Sequence, residues 1–344
     1  MSYSIPLIRS AVVVPFLRWM KENGRPVQDH LEAVGLGFVS PDQKELPIPL
    51  FSVFALFRLM AKLEGPDIPA RVITAHSLFD LGNFGQVILG SRSPRDALVR
   101  IVNVIPRYST HEQVSLWPVP RGQSLRAGWS MLLDDEAMHL TQQFTAGLAC
   151  ALCKATGLPG AAPRSLRVRP HPVYGLEHLR ERFGPALGVA HEAPAEIDFD
   201  DGILDLPLRF GAMAAPEAIP ADWESLKGDG SFSHSARLVL NAMGTQDLTL
   251  QRLADLAGMS TRSLQRAFTK EGTQFRQLMD ESRRDAAMVL LKTQTGRLDI
   301  VAAELGFAEQ SALSRAVKRW TGENPKDFRH AQARELRTGL TRRR

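Results

Sequence analysis

The chain has 344 residues, of which 44% are hydrophobic and 23% are charged. This composition excludes disordered and fibrous proteins, and the length allows two domains with separate cores. The most apolar stretches, Ala11 to Phe16 and Phe51 to Met60, fall well short of the roughly 20 residues that span a bilayer. The first residues also lack the basic and apolar regions of a signal peptide. The sequence therefore predicts a globular cytoplasmic protein without a membrane segment.

The net charge of +5 hides a difference between two parts of the chain. Residues 233–344 contain 20 Lys and Arg and 12 Asp and Glu, which gives +8. Residues 1–232 contain 22 Lys and Arg and 25 Asp and Glu, which gives −3. A basic region on a slightly acidic body indicates that one part binds a polyanion while the other has a different task.

Helical and strand-like patterns are mixed through the first 210 residues and predict an α+β domain. Helices are expected at Leu50 to Leu63 and at Pro94 to Val104, the second with a proline in its first turn. Further on, two strands joined by a turn are expected at Val114 to Trp117 and Ser124 to Leu133, followed by a helix at Glu136 to Thr156. A strand at Ser165 to Arg169, a short helix at Leu176 to Phe183 and a last strand at Glu196 to Phe199 are expected after it. These patterns do not give the order of the strands in a sheet.

Residues 211–233 are rich in Ala, Pro, Gly and Ser and have no sustained apolar period, so they predict an interdomain linker. The linker separates an N-terminal domain, residues 1–210, from a C-terminal domain, residues 234–330, which is followed by a basic tail at residues 331–344. Apolar residues in the C-terminal domain fall at helical spacing, and strand signals are scarce. This domain is expected to be all-α.

The C-terminal domain contains an internal repeat. The segment Leu253 to Phe268 recurs as Val301 to Val317, and Gly258 matches Gly306 at an offset of 48 residues. Each copy has a short helix with an apolar inner face, a glycine for a tight turn, and a second helix with a polar and basic outer face. This order is typical of a helix-turn-helix unit.

The sequence also indicates where the helices of the first copy begin and how far apart the two copies lie. In the first copy, Thr249 and Ser260 are placed to cap the two helices, and Leu264 and Phe268 are expected to point inward. Residues 275–294 predict a helix of about 20 residues, roughly 30 Å long, between the copies. One face of DNA repeats its groove about every 34 Å, so such a helix can place two recognition helices in successive major-groove segments.

The outer faces of the two second helices supply the candidate base-contacting residues. Arginine pairs with guanine and glutamine with adenine through two hydrogen bonds in the major groove. One helix-turn-helix match is weak evidence, but two copies in a basic domain favour DNA binding over a merely solvated helical domain. The predicted DNA-binding residues are Arg262, Gln265 and Arg266 in the first unit and Gln310, Ser311, Ser314 and Arg315 in the second.

The second copy also carries a longer motif. The stretch Gly306 to Gly322 reads GFAEQSALSRAVKRWTG and is followed by Asn324-Pro325 and Phe328-Arg329. With these residues, the region 248–329 resembles the DNA-binding domain of the AraC/XylS family of bacterial transcription regulators.

The motif departs from the family at the start of the second recognition helix. The family usually has serine and then aspartate after the Gly-Phe, whereas this chain has Ala308 and Glu309. The usual side-chain cap is therefore not expected, although Glu309 complements the dipole at the start of the helix.

The N-terminal 210 residues resemble, less specifically, the arabinose-binding-like sensor and dimerisation domain of the subgroup that includes ornithine-utilisation regulators. The resemblance implies an α+β N-terminal sensor domain joined to an all-α C-terminal domain with two helix-turn-helix units connected by a long helix. It implies a transcriptional activator that binds promoter DNA, responds to a small-molecule effector and contacts RNA polymerase. A homodimer is expected because a second tethered subunit doubles the DNA site. No cofactor, metal or membrane partner is expected.

Two other classes of protein remain as alternatives. An enzyme fused to a DNA-binding domain, such as an alkyl-transfer repair protein, needs a reactive cysteine, and Cys150 and Cys153 lie in an apolar helix where buried packing is expected. His111-Glu112 lacks the second histidine of a zinc-protease helix, so no enzymatic activity is predicted. An architectural DNA binder would leave the N-terminal domain without a role.

Candidate ligand-contacting residues in the N-terminal domain are Arg107, Tyr108, Trp129 and His139. Aromatic and polar residues on a half-buried sheet need no ligand, so the sequence assigns no effector-binding residue.

Overall fold

The computed structural model of the chain describes residues 4–190, 194–210, 220, 223–244, 248–293 and 297–329. The chain divides into two compact units: an N-terminal unit of residues 6–229, and a C-terminal unit of residues 230–344 together with residues 1–5. Residues 211–219 and 221–222 of the predicted linker, and the whole predicted basic tail, lie outside the described residues. None of the described helices is long and apolar enough to cross a membrane.

The described residues of the N-terminal unit form two sheets. A two-stranded antiparallel sheet consists of β1 (Leu7–Arg9) and β2 (Pro47–Pro49). The larger sheet has five strands, which are β3 (Glu112–Val119), β4 (Gly122–Trp129), β5 (Ser165–Val168), β6 (Leu187–Val189) and β7 (Ala195–Asp200). Their order is β3-β4-β7-β5-β6, and all neighbours are antiparallel except β5 and β6.

The hairpin of β3 and β4 determines which side chains share a face of the sheet. Its register pairs Glu112 with Trp129, Val114 with Ala127 and Leu116 with Leu125, in the positions where the sequence predicts two strands. The predicted turn between the strands is confirmed, and Arg121 within it has a φ of 61°. Because side chains alternate along a strand, these three pairs lie on one face.

The described residues of the N-terminal unit also form ten α-helices: α1 (Val14–Glu22), α2 (Val27–Ala33), α3 (Leu50–Glu64), α4 (Ile68–Arg71), α5 (Ser77–Asp80), α6 (Gly82–Leu89), α7 (Pro94–Tyr108), α8 (Asp135–Lys154), α9 (Arg180–Phe183) and α10 (Asp201–Leu204). The helices predicted at Leu50 to Leu63, Pro94 to Val104 and Glu136 to Thr156 are confirmed as α3, α7 and α8. Ser93 and Asp134 accept backbone hydrogen bonds at the starts of α7 and α8, as N-caps do.

The core of the N-terminal unit joins α1, α3 and α8. The ring of Phe57 stacks on Phe16 with centroids 4.6 Å apart and lies 5.4 Å from the ring of Phe144. Helix α8 also contacts β4, β5 and β7. The unit therefore has the mixed α+β architecture that the sequence predicts.

The described residues of the C-terminal unit form helices and connecting turns without a strand. The helices are α11 (Phe232–Met243), α12 (Leu250–Leu256), α13 (Thr261–Lys270), α14 (Phe275–Thr293), α15 (Leu298–Glu304) and α16 (Gln310–Thr321). Helices α12 and α13 are the first helix-turn-helix unit, and α15 and α16 are the second. The long helix α14 connects them, as the sequence predicts.

Candidate nucleic-acid interface

The first helix-turn-helix unit has the caps and the turn that its sequence predicts. The hydroxyl of Thr249 accepts a hydrogen bond from the backbone N–H of Arg252 at 3.1 Å, and that of Ser260 accepts one from the N–H of Ser263 at 3.2 Å. Gly258 between the helices has a φ of 63°, in the region that favours glycine. These local interactions fix where the recognition helix α13 begins.

The inner face of α13 is held by an aromatic core. Leu264 and Phe268 are buried, as predicted. The ring of Phe268 lies 5.0 Å from that of Phe232 on α11 and 6.5 Å from that of Phe275 on α14. Because this face is packed, the opposite face of α13 faces solvent.

Arg262, Gln265 and Arg266 are exposed on that outer face. Neither guanidinium forms an ion pair or hydrogen bond with another described residue, unlike Arg237 and Arg284, which pair with acidic side chains. An unpaired guanidinium keeps all of its donors available for a base edge or a phosphate.

The second unit has its own core and a different start to its recognition helix. Leu313 and Val317 of α16 are buried against α14 and α15. Gly306 at the turn has a φ of 71°. Glu309 is the N-cap of α16, but its side chain accepts no capping hydrogen bond from a backbone N–H of the helix, so the expected loss of the usual cap is confirmed. Its carboxylate instead accepts a hydrogen bond from the hydroxyl of Ser311 at 2.9 Å.

The predicted residues of the second unit differ in how available they are. Gln310, Ser311 and Arg315 are exposed, and the Arg315 guanidinium has no partner among the residues that the structure describes. Ser314 is half-buried, and its hydroxyl donates to the backbone carbonyl of Gln310 at 3.0 Å. Arg315 is therefore the side chain of this set best placed to reach a base.

Helix α16 is anchored to α14 by one carboxylate. Asp280 accepts hydrogen bonds from the Arg319 guanidinium at 2.6 Å and from the Trp320 indole N–H at 3.1 Å. The residues that line the groove between these helices include three arginines, Arg276, Arg315 and Arg319. The groove thus continues the positive surface of the recognition helix, which suits contact with a phosphate backbone.

The N-terminal unit contains a cavity of about 90 Å³ lined mainly by residues of α3, α6, α7, α8 and the β3–β4 hairpin. Of the candidate ligand-contacting residues, Tyr108 and Trp129 line it. Arg107 is exposed, and its backbone carbonyl accepts a hydrogen bond from Arg9 at 3.1 Å. His139 is not among the lining residues.

Glu112 also lines the cavity, and sequence reasoning considered it only as part of an incomplete zinc motif. Burial among apolar side chains raises the pKa of its carboxyl to about 7. The available signal was an acidic residue on the same strand face as Val114 and Leu116, where an apolar one is usual.

His139 lies instead in a cluster with His171 and His178. Its Nδ1 is 2.6 Å from the carbonyl oxygen of Arg169, and its Nε2 is 2.9 Å from Nε2 of His178. Burial lowers the pKa of His139 to about 4, so the ring is neutral near pH 7. Among the described residues, no group of three or more His, Cys, Asp or Glu side chains is arranged to hold a metal ion.

The two cysteines are free thiols on α8. Cys153 is fully buried, as expected, and Cys150 is half-buried. Burial raises the pKa of Cys150 to about 11 and raises that of Cys153 as well. A nucleophilic cysteine needs a lowered pKa, so these thiols give no support to the enzyme alternative.

Comparison with known proteins gives matches in the C-terminal unit and along most of the chain. Residues 253–331 match a family model described as a helix-turn-helix domain. The chain is 25% identical over 323 residues to an uncharacterized HTH-type transcriptional regulator of Mycobacterium tuberculosis, covering 89% of this chain and 92% of the relative. It is 28% identical over 215 residues to the ornithine utilization regulator of Pseudomonas aeruginosa, covering 60% and 62% of the two chains.

One solved structure, the transcriptional regulator CdpR from Pseudomonas aeruginosa, aligns over 91% of this chain and 98% of its own, with 18% identity and a TM-score of 0.36. The helix-turn-helix match extends from α12 past the end of α16 and so includes both predicted units. The resemblance of this region to a known helix-turn-helix family is confirmed.

Proposed function

We propose that this chain, a DNA-binding transcriptional regulator of the AraC type, binds promoter DNA through α13 and α16 and responds to a small molecule bound by its N-terminal unit. The DNA contact is supported by exposed arginines on the outer faces of the recognition helices that pair with no other described residue: Arg262 and Arg266 on α13, and Arg315 on α16. The residues proposed to face the major groove are Arg262, Gln265, Arg266, Gln310, Ser311, Ser314 and Arg315.

The spacing of the two units supports simultaneous binding. Helix α14 has 19 residues and is about 28 Å long, close to the roughly 34 Å after which one face of DNA repeats its groove. Its ends pack separately, since Phe275 contacts Phe268 of the first unit and Leu291 belongs to the core of the second. A rigid helix fixed at both ends limits the separations that the two recognition helices can adopt.

The salt dependence of DNA binding tests this proposal in the full chain. Neutralising phosphates releases counterions, so the logarithm of affinity falls with the logarithm of salt concentration by about 0.9 per phosphate contact. For about six contacts, affinity is expected to fall about 1,000-fold between 50 and 200 mM salt. Fluorescence anisotropy with a DNA site obtained by selection measures this slope. A flat response would contradict the proposal.

The proposed organisation assigns sensing and dimerisation to residues 1–210, the connection between domains to residues 211–233 and DNA binding to residues 234–330. The cavity of about 90 Å³ supports a sensing role, because it provides a largely apolar site in the N-terminal unit. An effector that prefers one arrangement of the subunits changes DNA occupancy by stabilising that arrangement. We infer activation, through contact with RNA polymerase, as the output.

Dimerisation is expected because one chain covers only two groove segments, and a second tethered chain raises occupancy through effective concentration. Light scattering on the full chain at tens of micromolar is expected to give twice the mass of one chain. Footprinting is expected to protect two half-sites. A strict monomer that protects a single half-site would refute the dimer.

A further inference from the structure

The cavity in the N-terminal unit has one polar end in otherwise apolar walls. Its lining is mostly aliphatic and aromatic, with Phe54, Phe57, Phe84 and Phe144 among the side chains. Among the described residues of the lining, Glu112 is the one acidic residue, and none is lysine, arginine or histidine. The carboxyl therefore has no basic neighbour in the described part of the cavity wall.

Other polar groups of the lining are bonded within the protein. The Trp129 indole N–H donates to the hydroxyl of Thr141 at 3.3 Å, and that hydroxyl donates to the carbonyl of Ala137 at 2.9 Å. The hydroxyl of Thr145 donates to the carbonyl of Thr141 at 3.2 Å. These groups have no outstanding need for a ligand.

The side chains of Glu112 and Tyr108, unlike these groups, form no hydrogen bond with another described residue. The backbone N–H of Glu112 donates to the hydroxyl of Ser109 at 3.4 Å, but its carboxyl bonds to no described residue. The Tyr108 hydroxyl likewise has no hydrogen-bond partner in the described part of the chain, and its ring stacks on Phe84 with centroids 4.4 Å apart. The two groups lie close enough for the charge of Glu112 to raise the pKa of Tyr108 further, in addition to the effect of burial.

A carboxyl in such a place is costly to the folded protein unless something pairs with it. Since buried polar groups are normally satisfied, an unpartnered one at a cavity wall points to a ligand that supplies the missing partner. The register of the hairpin holds Glu112 opposite Trp129, so the position of the carboxyl is set by the sheet and not by a loose loop.

We propose that this cavity binds a small apolar molecule with one protonated amine, whose ammonium group pairs with Glu112 and the Tyr108 hydroxyl oxygen while its hydrocarbon part contacts the aromatic walls. This inference rests on the proposed sensing function of the N-terminal unit. The faces of aromatic rings attract cations, so the walls add to the preference for an amine.

Other ligand classes fit less well. A fatty acid brings a second negative charge next to Glu112, and none of the lining residues that the structure describes is a cation that could compensate it. A free α-amino acid has the same difficulty with its own carboxylate. A neutral alcohol offers a hydrogen bond but does not compensate the charge of Glu112, so it is expected to bind more weakly than the amine.

The test compares three probes of equal length, n-hexylamine, n-hexanol and hexanoate, by calorimetry on the full-length protein at pH 8. The amine is expected to bind at least ten-fold more tightly than the alcohol, and hexanoate is expected not to bind. Equal binding of amine and alcohol would overturn the proposal, as would tighter binding of hexanoate or no binding of any probe.

Two substitutions test whether Glu112 is responsible for the preference for the amine. Glu112→Gln keeps the size of the side chain, and it is expected to reduce amine binding to the level of the alcohol. Glu177→Gln alters an exposed glutamate outside the cavity lining and is expected to bind the amine like the parent chain. Unchanged amine preference in a folded Glu112→Gln protein would overturn the assignment.

DNA affinity is measured on the same preparations. Normal salt-dependent DNA binding with no amine preference rejects the ligand class alone. If the parent chain does not bind DNA, the proposed function as a DNA-binding regulator is rejected.

Discussion

Replacement of Arg266 by alanine is expected to weaken binding of the full chain to its selected DNA site by about 5- to 150-fold, equivalent to about 1–3 kcal/mol. The side chain is exposed on α13 and has no ion-pair partner among the described residues. The Ser260 cap and the buried Leu264 and Phe268 fix the helix that carries it. Because a bidentate arginine reads one base, preference at one or two positions should also relax.

Anisotropy titration measures the affinity, and binding-site selection measures the base preference. Arg315→Ala is expected to act in the same way on the second half of the site. Arg180→Ala is the matched control, since this exposed arginine of the N-terminal unit pairs with the nearby Glu177. The control should retain both the affinity and the sequence logo. An unchanged logo at unchanged affinity for Arg266→Ala would remove it from the interface.

The second large effect concerns stability and pH. The pKa of Glu112 rises from 4.5 to about 7 on folding because of burial. Between these values the folded chain binds more protons than the unfolded chain, so the contribution of Glu112 to stability falls as the pH rises. Relative to the parent chain, Glu112→Gln should therefore gain about 2 kcal/mol in free energy of unfolding between pH 5 and pH 7.5.

His139 changes the stability of the parent chain with pH in the opposite direction to Glu112. Burial lowers its pKa from 6.5 to about 4, so its contribution to stability is lost as the pH falls through that range. His171 and His178 lie beside it, and burial lowers the pKa of both as well. The parent profile therefore combines opposing effects, and only the difference between variant and parent isolates Glu112.

Urea unfolding at several pH values measures that difference, provided that both proteins unfold in comparable transitions. Glu177→Gln should follow the parent at each pH, since its side chain is exposed. A difference for Glu112→Gln that does not vary with pH would show that the carboxyl is not held in an apolar environment.

The helices that carry the candidate DNA interface could be predicted from local sequence. The caps Thr249 and Ser260, the turn at Gly258 and the inward Leu264 depend on residues within a few positions of one another. Helical periodicity over many residues also gave α3, α7, α8 and α14. These features repeat or persist along the chain, and one sequence is enough to recognise them.

The short strands and the cavity of the N-terminal unit depended on contacts distant in sequence. Strands β1, β2 and β6 have three residues each, too few to show an alternating pattern, and they exist because they pair with partners elsewhere in the chain. Glu112 has an ordinary acidic side chain in the sequence. Its environment arises only when β3 pairs with β4 and when α3, α7 and α8 enclose that face of the sheet. The sequence alone thus determined the repeated helical units, because the interactions that stabilise them are local. Tertiary structure decided the order of the strands and the apolar surroundings of Glu112, because both depend on which distant segments come together.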